Sequence, residues 1–253
     1  MNDRHIQILE LMKAKKYLTV SALSQMLFTS ESTIRRDLAQ LQEKGLVLRT
    51  RGGASYVNAK ALEWPLTFKA QANTEKKQII ADLALDFIQD KQTLFLDPSS
   101  TCMMLAKRLG EKKELTILTN GLMTSRLLCG HKNAAVYCAC GSINAQSLSI
   151  TGTDTCRYIR QFTAELAFVS CRGVHPAFGI TDYIQEEAMV KQAYRKRARK
   201  LILLADSTKW GQHFFHKTFD FSQVDAIITD ALPSPEMIEQ LEKEGTELVC
   251  PGI

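Results

Sequence analysis

Long hydrophobic runs are missing from this chain: no apolar stretch approaches the ~18 residues that a membrane-spanning helix needs. The first residues, Asn2-Asp3-Arg4-His5, lead into an amphipathic segment and not into the continuous apolar core of a secretory signal. The sequence therefore predicts no membrane partner and a cytoplasmic location. A cysteine framework is missing too. The seven cysteines are odd in number; Cys102, Cys129, Cys156, Cys171 and Cys250 are scattered, and Cys138-Ala139-Cys140 has the wrong spacing for a zinc knuckle or a redox pair. Reduced thiols are expected. His5, His131, His175, His213 and His216 share no spacing, and the pair His213 and His216 has no acidic or cysteine companion. No metal and no cofactor are expected. Internal repeats and low-complexity segments are absent.

What is present begins with an uneven charge. Residues 1–58 hold nine Lys/Arg against five acids, a net +4, while the whole chain is +5. A basic head on a near-neutral body suits a small polyanion-binding module joined to a larger domain.

Within the head, Ser30-Glu31-Ser32-Thr33-Ile34-Arg35-Arg36-Asp37-Leu38 reads as a helix. Ser30 is a natural N-cap. Ile34, Leu38 and Leu41 form one apolar face. Ser32, Thr33, Arg35 and Arg36 fall opposite, where hydroxyls and guanidinium groups can read base edges and clamp phosphates. Gly45 is placed to stop the helix. The alternating run with Arg49 and Arg51, ending at Gly52-Gly53, predicts a basic hairpin wing. Upstream, Ile6, Ile8, Leu9 and Met12 space as a first amphipathic helix. Thr19 or Ser21 could cap a second, with Ala22, Leu23, Met26 and Leu27 inward and Phe28-Thr29 as the turn. Three short helices with a brief turn before the last is helix-turn-helix spacing.

A connector is expected over 59–73, with Trp64, Pro65 and Phe68 as candidate docking residues. From residue 74 the pattern alternates. Helices are predicted at 75–88 (Ile79, Leu83 and Phe87 on one face), 101–109, 122–128, 184–199 and 235–244. Strands are predicted at 93–96, 115–118, 134–137, 166–169, 201–204 and 226–229. Continuous apolar strands alternating with helices imply an α/β body with a largely parallel sheet. Residues 141–162 are the least legible stretch.

In such sheets ligands bind at the carboxyl ends of the strands. There stand Asp97-Pro98-Ser99-Ser100-Thr101, opening a helix; Thr119-Asn120-Gly121; Cys140-Gly141; and Asp206-Ser207-Thr208-Lys209. Hydroxyls and free amides at a helix start make an anion site, glycine allows close approach, and an acid with a lysine suits a phosphorylated polyol.

The run Thr33-Ile34-Arg35-Arg36-Asp37-Leu38, with Leu41, Gly45, Arg49 and Gly52-Gly53-Ala54, resembles the DNA-binding domain of DeoR-family transcription regulators. The body resembles that family's effector domain through Asp97, Ser100-Thr101, Thr119-Asn120, Gly141, Gly152, Gly173, Gly179-Ile180-Thr181, Glu187-Ala188, Lys191, Leu204-Ala205-Asp206-Ser207, Lys209 and Asp225. The resemblance implies a fold in two parts: a small all-α winged helix-turn-helix head, and a Rossmann-like α/β domain of the ribose-5-phosphate-isomerase type. It implies that Ser32, Thr33, Arg35, Arg36, Arg49 and Arg51 hold a double-stranded DNA operator. It implies that Asp97, Ser99, Ser100, Thr101, Thr119, Asn120, Gly141, Glu187, Lys191, Asp206 and Lys209 bind a phosphorylated sugar. Ser99, Cys140 and Ser170-Cys171 depart from the glycine or small residues usual in the family.

The expected function is thus a ligand-responsive repressor of a carbohydrate-utilisation operon, acting as a homo-oligomer (dimer or tetramer) without catalysis. The competing expectation is a sugar-phosphate isomerase with an accessory DNA-binding head, in which Glu186, Glu187 and Lys191 would include the general base and a phosphate partner.

Overall fold

The computed structural model of the protein describes residues 3–15, 17–43, 46–56 and 66–252. They divide into two compact units, 1–72 and 73–253, each with its own core.

The first unit contains α1 (Asp3–Lys15), β1 (Tyr17–Thr19), α2 (Val20–Met26), α3 (Glu31–Glu43), β2 (Val47–Thr50), β3 (Gly53–Tyr56) and α4 (Leu66–Gln71). Its core joins Ile8, Leu9 and Met12 of α1 to Leu23 of α2 and to Ile34, Leu38 and Leu41 of α3. Thr19 caps α2, accepting from the Ala22 amide at 3.1 Å. Ser30 caps α3, accepting from the Thr33 amide at 3.3 Å. Between the helices Phe28 takes a left-handed φ of +49°. The expected inward Met26 is exposed. The seven-residue helix turns its core stripe through Val20, Leu23 and Leu27, and Met26 lies 100° off that line.

The head is not purely helical. The wing is a three-stranded antiparallel sheet in the order β1-β3-β2, one strand more than a hairpin. Thr50 pairs with Gly53 across a two-residue turn at Arg51-Gly52, where Gly52 has φ +92°. Gly53 has to be glycine for a different reason: a Cβ there would lie 2.4 Å from the Leu18 carbonyl oxygen. Gly45, Trp64 and Pro65 lie outside the described residues. Within the span read as a connector, residues 66–71 form α4, with Leu66 buried.

The second unit runs α5 (Thr74–Leu85), β4 (Thr93–Leu96), α6 (Ser100–Arg108), β5 (Leu115–Thr119), α7 (Leu122–Leu128), β6 (Ala134–Cys138), β7 (Ser142–Asn144), β8 (Ser149–Thr151), α8 (Thr153–Ile159), β9 (Ala164–Ser170), β10 (Gly173–His175), β11 (Gly179–Asp182), α9 (Gln185–Arg195), β12 (Ala198–Leu204), β13 (His216–Phe219), β14 (Ala226–Ile228), α10 (Pro235–Glu244) and β15 (Glu247–Val249). Seven strands form one parallel sheet, ordered β15-β14-β12-β9-β4-β5-β6. One face is covered by α5, α6 and α7, the other by α8, α9, α10 and a small antiparallel sheet, β10-β11-β13.

Two expected details differ. The buried face of α5 is Ile80, Ala81, Ala84 and Leu85, whereas Ile79 is exposed and Leu83 only half-buried. The alanines let the helix approach the sheet closely, and the bulkier residues sit on its flanks. The helix expected over 184–199 stops at Arg195, and the basic residues Arg199 and Lys200 open β12.

Candidate functional site

The head presents one basic surface. On α3, Ile34, Asp37 and Leu38 face inward, while Ser32, Arg35 and Arg36 are exposed and Thr33 is half-buried. Arg35 forms an ion pair with Glu31 one turn earlier, at 3.1 Å. Such an exposed pair contributes little stability and opens readily for another anion. The Ser30 hydroxyl lies 3.0 Å from that of Ser32 and 2.9 Å from that of Thr33, a polar edge at the helix start. Arg49 and Arg51 are exposed on the wing, and the Arg49 amide donates to Gln42 Oε1 at 2.9 Å, which ties the wing to α3. All six expected DNA-facing residues therefore lie on the helix start and the wing of one unit.

Behind this surface is a cluster that the sequence reading missed. Asp37 is buried, accepts from Arg4 Nε at 2.5 Å and from His5 Nε2 at 3.0 Å, and so fastens α3 to α1. Burial alone would raise its pKa, but the hydrogen bonds from Arg4 and His5 outweigh it and hold the carboxyl below the usual value.

In the body, the strand order reverses between β4 and β9: the chain moves outward through β5 and β6, then returns to β9 and moves the other way. A crevice at the carboxyl ends of β4 and β9 is where open α/β sheets bind ligands. Asp97 stands at this point. Its Oδ1 accepts from the Ser99 amide at 2.8 Å and its Oδ2 from the Ser170 amide at 2.7 Å. Asp97 thereby pins the two loops together, and its geometry is that of a positioning group. Ser99 is likewise engaged, capping α6 through the Cys102 amide at 3.1 Å. The hydroxyls of Ser100 and Thr101 carry no hydrogen bond among the described residues. Both residues are buried in the first turn of α6, where the Cys102 and Met103 amides already donate to Ser99.

Thr119 and Asn120 are buried and occupied. Thr119 accepts from the Gly121 amide at 3.1 Å. Asn120 donates to the Ile150 carbonyl at 2.9 Å and accepts from the Tyr194 hydroxyl at 3.0 Å. Gly141 lies apart, toward the sheet edge. Its φ is +142°, and a Cβ would meet Thr155 Oγ1 at 2.1 Å. Packing against α8 is what demands the glycine. Gly141 lines a separate open recess of about 520 Å³ with Cys140, Ser142, Asp154, Arg157, Tyr158 and Gln161.

The two expected lysines differ. Lys191 Nζ donates to Asp182 Oδ1 at 2.7 Å, and Asp182 accepts from Thr218 at 2.8 Å. Burial opposes the charge on Lys191, but Asp182, Asp97 and Glu187 prevail and raise its pKa. Glu187 accepts from Ser149 at 3.1 Å. The Lys209 side chain has no ion-pair or hydrogen-bond partner among the described residues. Burial lowers its pKa despite the pull of Asp206, and Arg172 adds like charge beside it. Asp206 caps the turn that carries Lys209, accepting from the Thr208 amide at 3.1 Å. Its own pKa is depressed, because Lys209, the Thr208 bonds and Lys77 together outweigh burial. Asp182, Arg172 and Lys77 were not singled out from sequence. A lysine on an otherwise apolar helical stripe was the available signal for Lys77.

Comparison with known proteins follows this division. Residues 4–60 match the model of the DeoR-like helix-turn-helix domain, and residues 72–231 match that of the DeoR C terminal sensor domain. The HTH-type transcriptional regulator GolR of Listeria innocua is 31% identical over 96% of each chain. The glycerol-3-phosphate regulon repressor of Escherichia coli is 29% identical over 97% of each. Among solved structures, a D-ribose-5-phosphate isomerase in complex with phospho-erythronic acid aligns with 54% of each chain at 19% identity and a TM-score of 0.41. With both domain models matched in order and full-length relatives that are transcription regulators, the chain belongs to the DeoR family of helix-turn-helix transcription regulators.

Proposed function

We propose that the protein is a repressor whose operator affinity is set by a phosphorylated sugar bound at the β4–β9 end of the sheet. The observation that carries this is Lys209, a partly buried amine without an ion-pair partner, across the switch point from the Ser100 and Thr101 hydroxyls and the α6 amides. A desolvated cation and an anion-receptive helix start are each incomplete without a bound anion. The repressors among the relatives, one of them named for the glycerol-3-phosphate regulon, support the same chemistry.

In this reading Arg35, Arg36, Arg49 and Arg51 hold backbone phosphates, and Ser32 and Thr33 lie near base edges. One helix-turn-helix reads only a few base pairs, so the working form is a homo-oligomer in the cytoplasm.

Catalysis as an isomerase is disfavoured by how the carboxylates are used. Asp97 serves two amides, Asp182 serves Lys191 and Thr218, Glu187 serves Ser149, and Asp206 caps its turn. An enzyme of that type needs a carboxylate positioned as general base against the substrate. The test is a thermal-shift screen with sugar phosphates, paired with an isomerase assay on the same compounds. A ligand at 100 times its dissociation constant stabilises by about 2.7 kcal/mol. No turnover is expected; turnover would establish the enzyme reading, and a screen without a hit would remove the effector reading.

A further inference from the structure

Arg195-Lys196-Arg197-Ala198-Arg199-Lys200 is a run of five cations without an acid, in a body whose net charge is near zero. The fold spends two of them. Arg195 Nε donates to the Gln223 carbonyl at 2.6 Å, and its guanidinium stands 3.9 Å from Asp225. Arg197 Nε donates to the Phe162 carbonyl at 2.8 Å, and the Ala164 amide donates back to the Arg197 carbonyl at 3.0 Å. These bonds lay the chain that leaves α9 against the chain that leaves α8, at the amino end of the sheet where β9 and β12 begin. Lys196, Arg199 and Lys200 are exposed, and so is Arg160. Lys196 is the C-cap of α9 and Arg160 that of α8. Burial pushes the Cys156 thiol up, and the charges of Arg160 and Lys196 both pull against it, so both cations lie near one sulfur. Leu201 and Leu203 point into the core beneath α8, α9 and α10. Strand alternation puts Arg199 on that same face and Lys200 on the other. Arg160, Lys196 and Arg199 thus share one rim of the sheet.

None of these three side chains has an ion pair or a hydrogen bond among the described residues. A cation at a helix C-cap complements the helix dipole. That accounts for Arg160 and Lys196 but not for Arg199, which stands in a strand. Two acids close to this rim are already engaged: Asp225 accepts from the Leu201 amide at 2.7 Å, and Glu165 accepts from the Thr93 amide at 2.6 Å and its hydroxyl at 2.8 Å. Exposed, uncompensated charge of one sign attracts a polyanion, and duplex DNA is the polyanion that a regulator of this family meets. A body tied to a head that holds an operator is at high effective concentration beside the flanking duplex, so phosphate contacts too weak to bind alone add to affinity.

We propose that Arg160, Lys196 and Arg199 form a second DNA-contacting surface, on the body, that holds backbone phosphates of the duplex flanking the operator and reads no sequence. This rests on the reading that the head holds the operator. The surface lies at the amino ends of the strands, whereas the loops proposed for the effector lie at the carboxyl ends, so the two sites do not compete.

The experiment uses the full chain and two duplexes from the region upstream of its own gene. One is the shortest that is still held in preference to scrambled DNA. The other is the same sequence extended on each side by about two helical turns of scrambled flank. The wild type should bind the extended duplex more tightly and with a steeper salt dependence. The double variant Lys196→Gln/Arg199→Gln should bind the short duplex as the wild type does and lose most of the gain from the flank. Its slope of log K against log salt on the extended duplex should be shallower by about 1.8, at about 0.9 for each phosphate contact. Lys196→Arg/Arg199→Lys keeps both charges and should keep the gain. Lys107→Gln/Arg126→Gln removes two exposed cations from the helices on the other face of the sheet and should keep it as well. A wild type that gains nothing from the flank, or a Lys196→Gln/Arg199→Gln variant that keeps the whole gain, overturns the assignment. So does equal loss in the Lys107→Gln/Arg126→Gln control, which would trace the gain to overall charge, or equal loss on the short duplex, which would place the contact outside the flank. If no duplex is preferred to scrambled DNA, the operator reading falls and takes this surface with it.

Discussion

Asp37 shows how one residue of a run expected to read DNA can serve the fold instead. Its neighbours Arg35 and Arg36 face outward, and the 100° step per residue turns Asp37 into the head, against Arg4 and His5. Because its folded pKa is depressed, the stability it contributes is present above the ordinary carboxylate range near 3.9 and is lost as pH falls through the lower folded value. Asp37→Asn keeps the shape and removes the charge. It should destabilise the head by about 1.5–3 kcal/mol near neutral pH and flatten the acid limb of its stability profile. Thermal unfolding between pH 7 and 3 measures both, and superimposable acid limbs would remove the argument. Gly53 offers a second test at this scale. A Cβ would overlap the Leu18 carbonyl, so Gly53→Val should cost roughly 1–3 kcal/mol of head stability, while the separate core of the body keeps its own melting transition.

At the scale of elements, the proposed reading has α3 and the wing act through charge, and its signature is salt dependence. Each phosphate neutralised contributes about −0.9 to the slope of log K against log salt. Arg35→Ala and Arg36→Ala should each weaken operator binding and reduce the slope by about one, with the body still folded. Wild-type affinity in both variants would show that α3 is not the reading element. This scale is also where sequence was most and least informative. The main-sheet strands with long apolar runs, such as Leu201-Ile202-Leu203-Leu204, were legible because burial on both faces leaves no polar position. β1, β7, β8, β10 and β15 have three residues each, too few to display a period. β13 pairs with β11 from 34 or more positions away, Asp182 with His216 being the nearest in sequence, so no local turn announces it. The face of α5 was misread because Ile79 and Leu83 outweigh Ala81 and Ala84 in any hydrophobic count, although close packing selects the alanines.

Across the whole molecule, the strand-end rule gathered Asp97, Ser99, Ser100, Thr101, Asp206 and Lys209 at one end of the sheet, but residue type alone could not divide them into groups spent on the fold and groups left for a ligand. Asp97 and Lys209 look equally functional in sequence. Only the hydrogen bonds from Ser99 and Ser170 mark the first as a tie between loops, and only the missing partner marks the second as receptive. The same distinction leads to the last prediction. Regulation requires the effector to favour one of two states that differ in DNA affinity. The chain passes from head to body between Ala72 and Asn73, and Asn73 has a left-handed φ of +54° directly before α5. Lys76, in the first turn of α5, is held by Ser207 and Asp230 on the loops that border the proposed effector site. Lys76→Ala removes this tie and leaves the bonds between Ser207 and Asp230 in place. With an effector found in the thermal-shift screen, the variant should bind that effector and the operator as the wild type does, but the ratio of operator affinities with and without saturating effector should shrink several-fold. The two affinities are measured by titrating labelled operator at fixed salt. An unchanged ratio would mean that α5 does not carry the signal and that coupling runs through another contact.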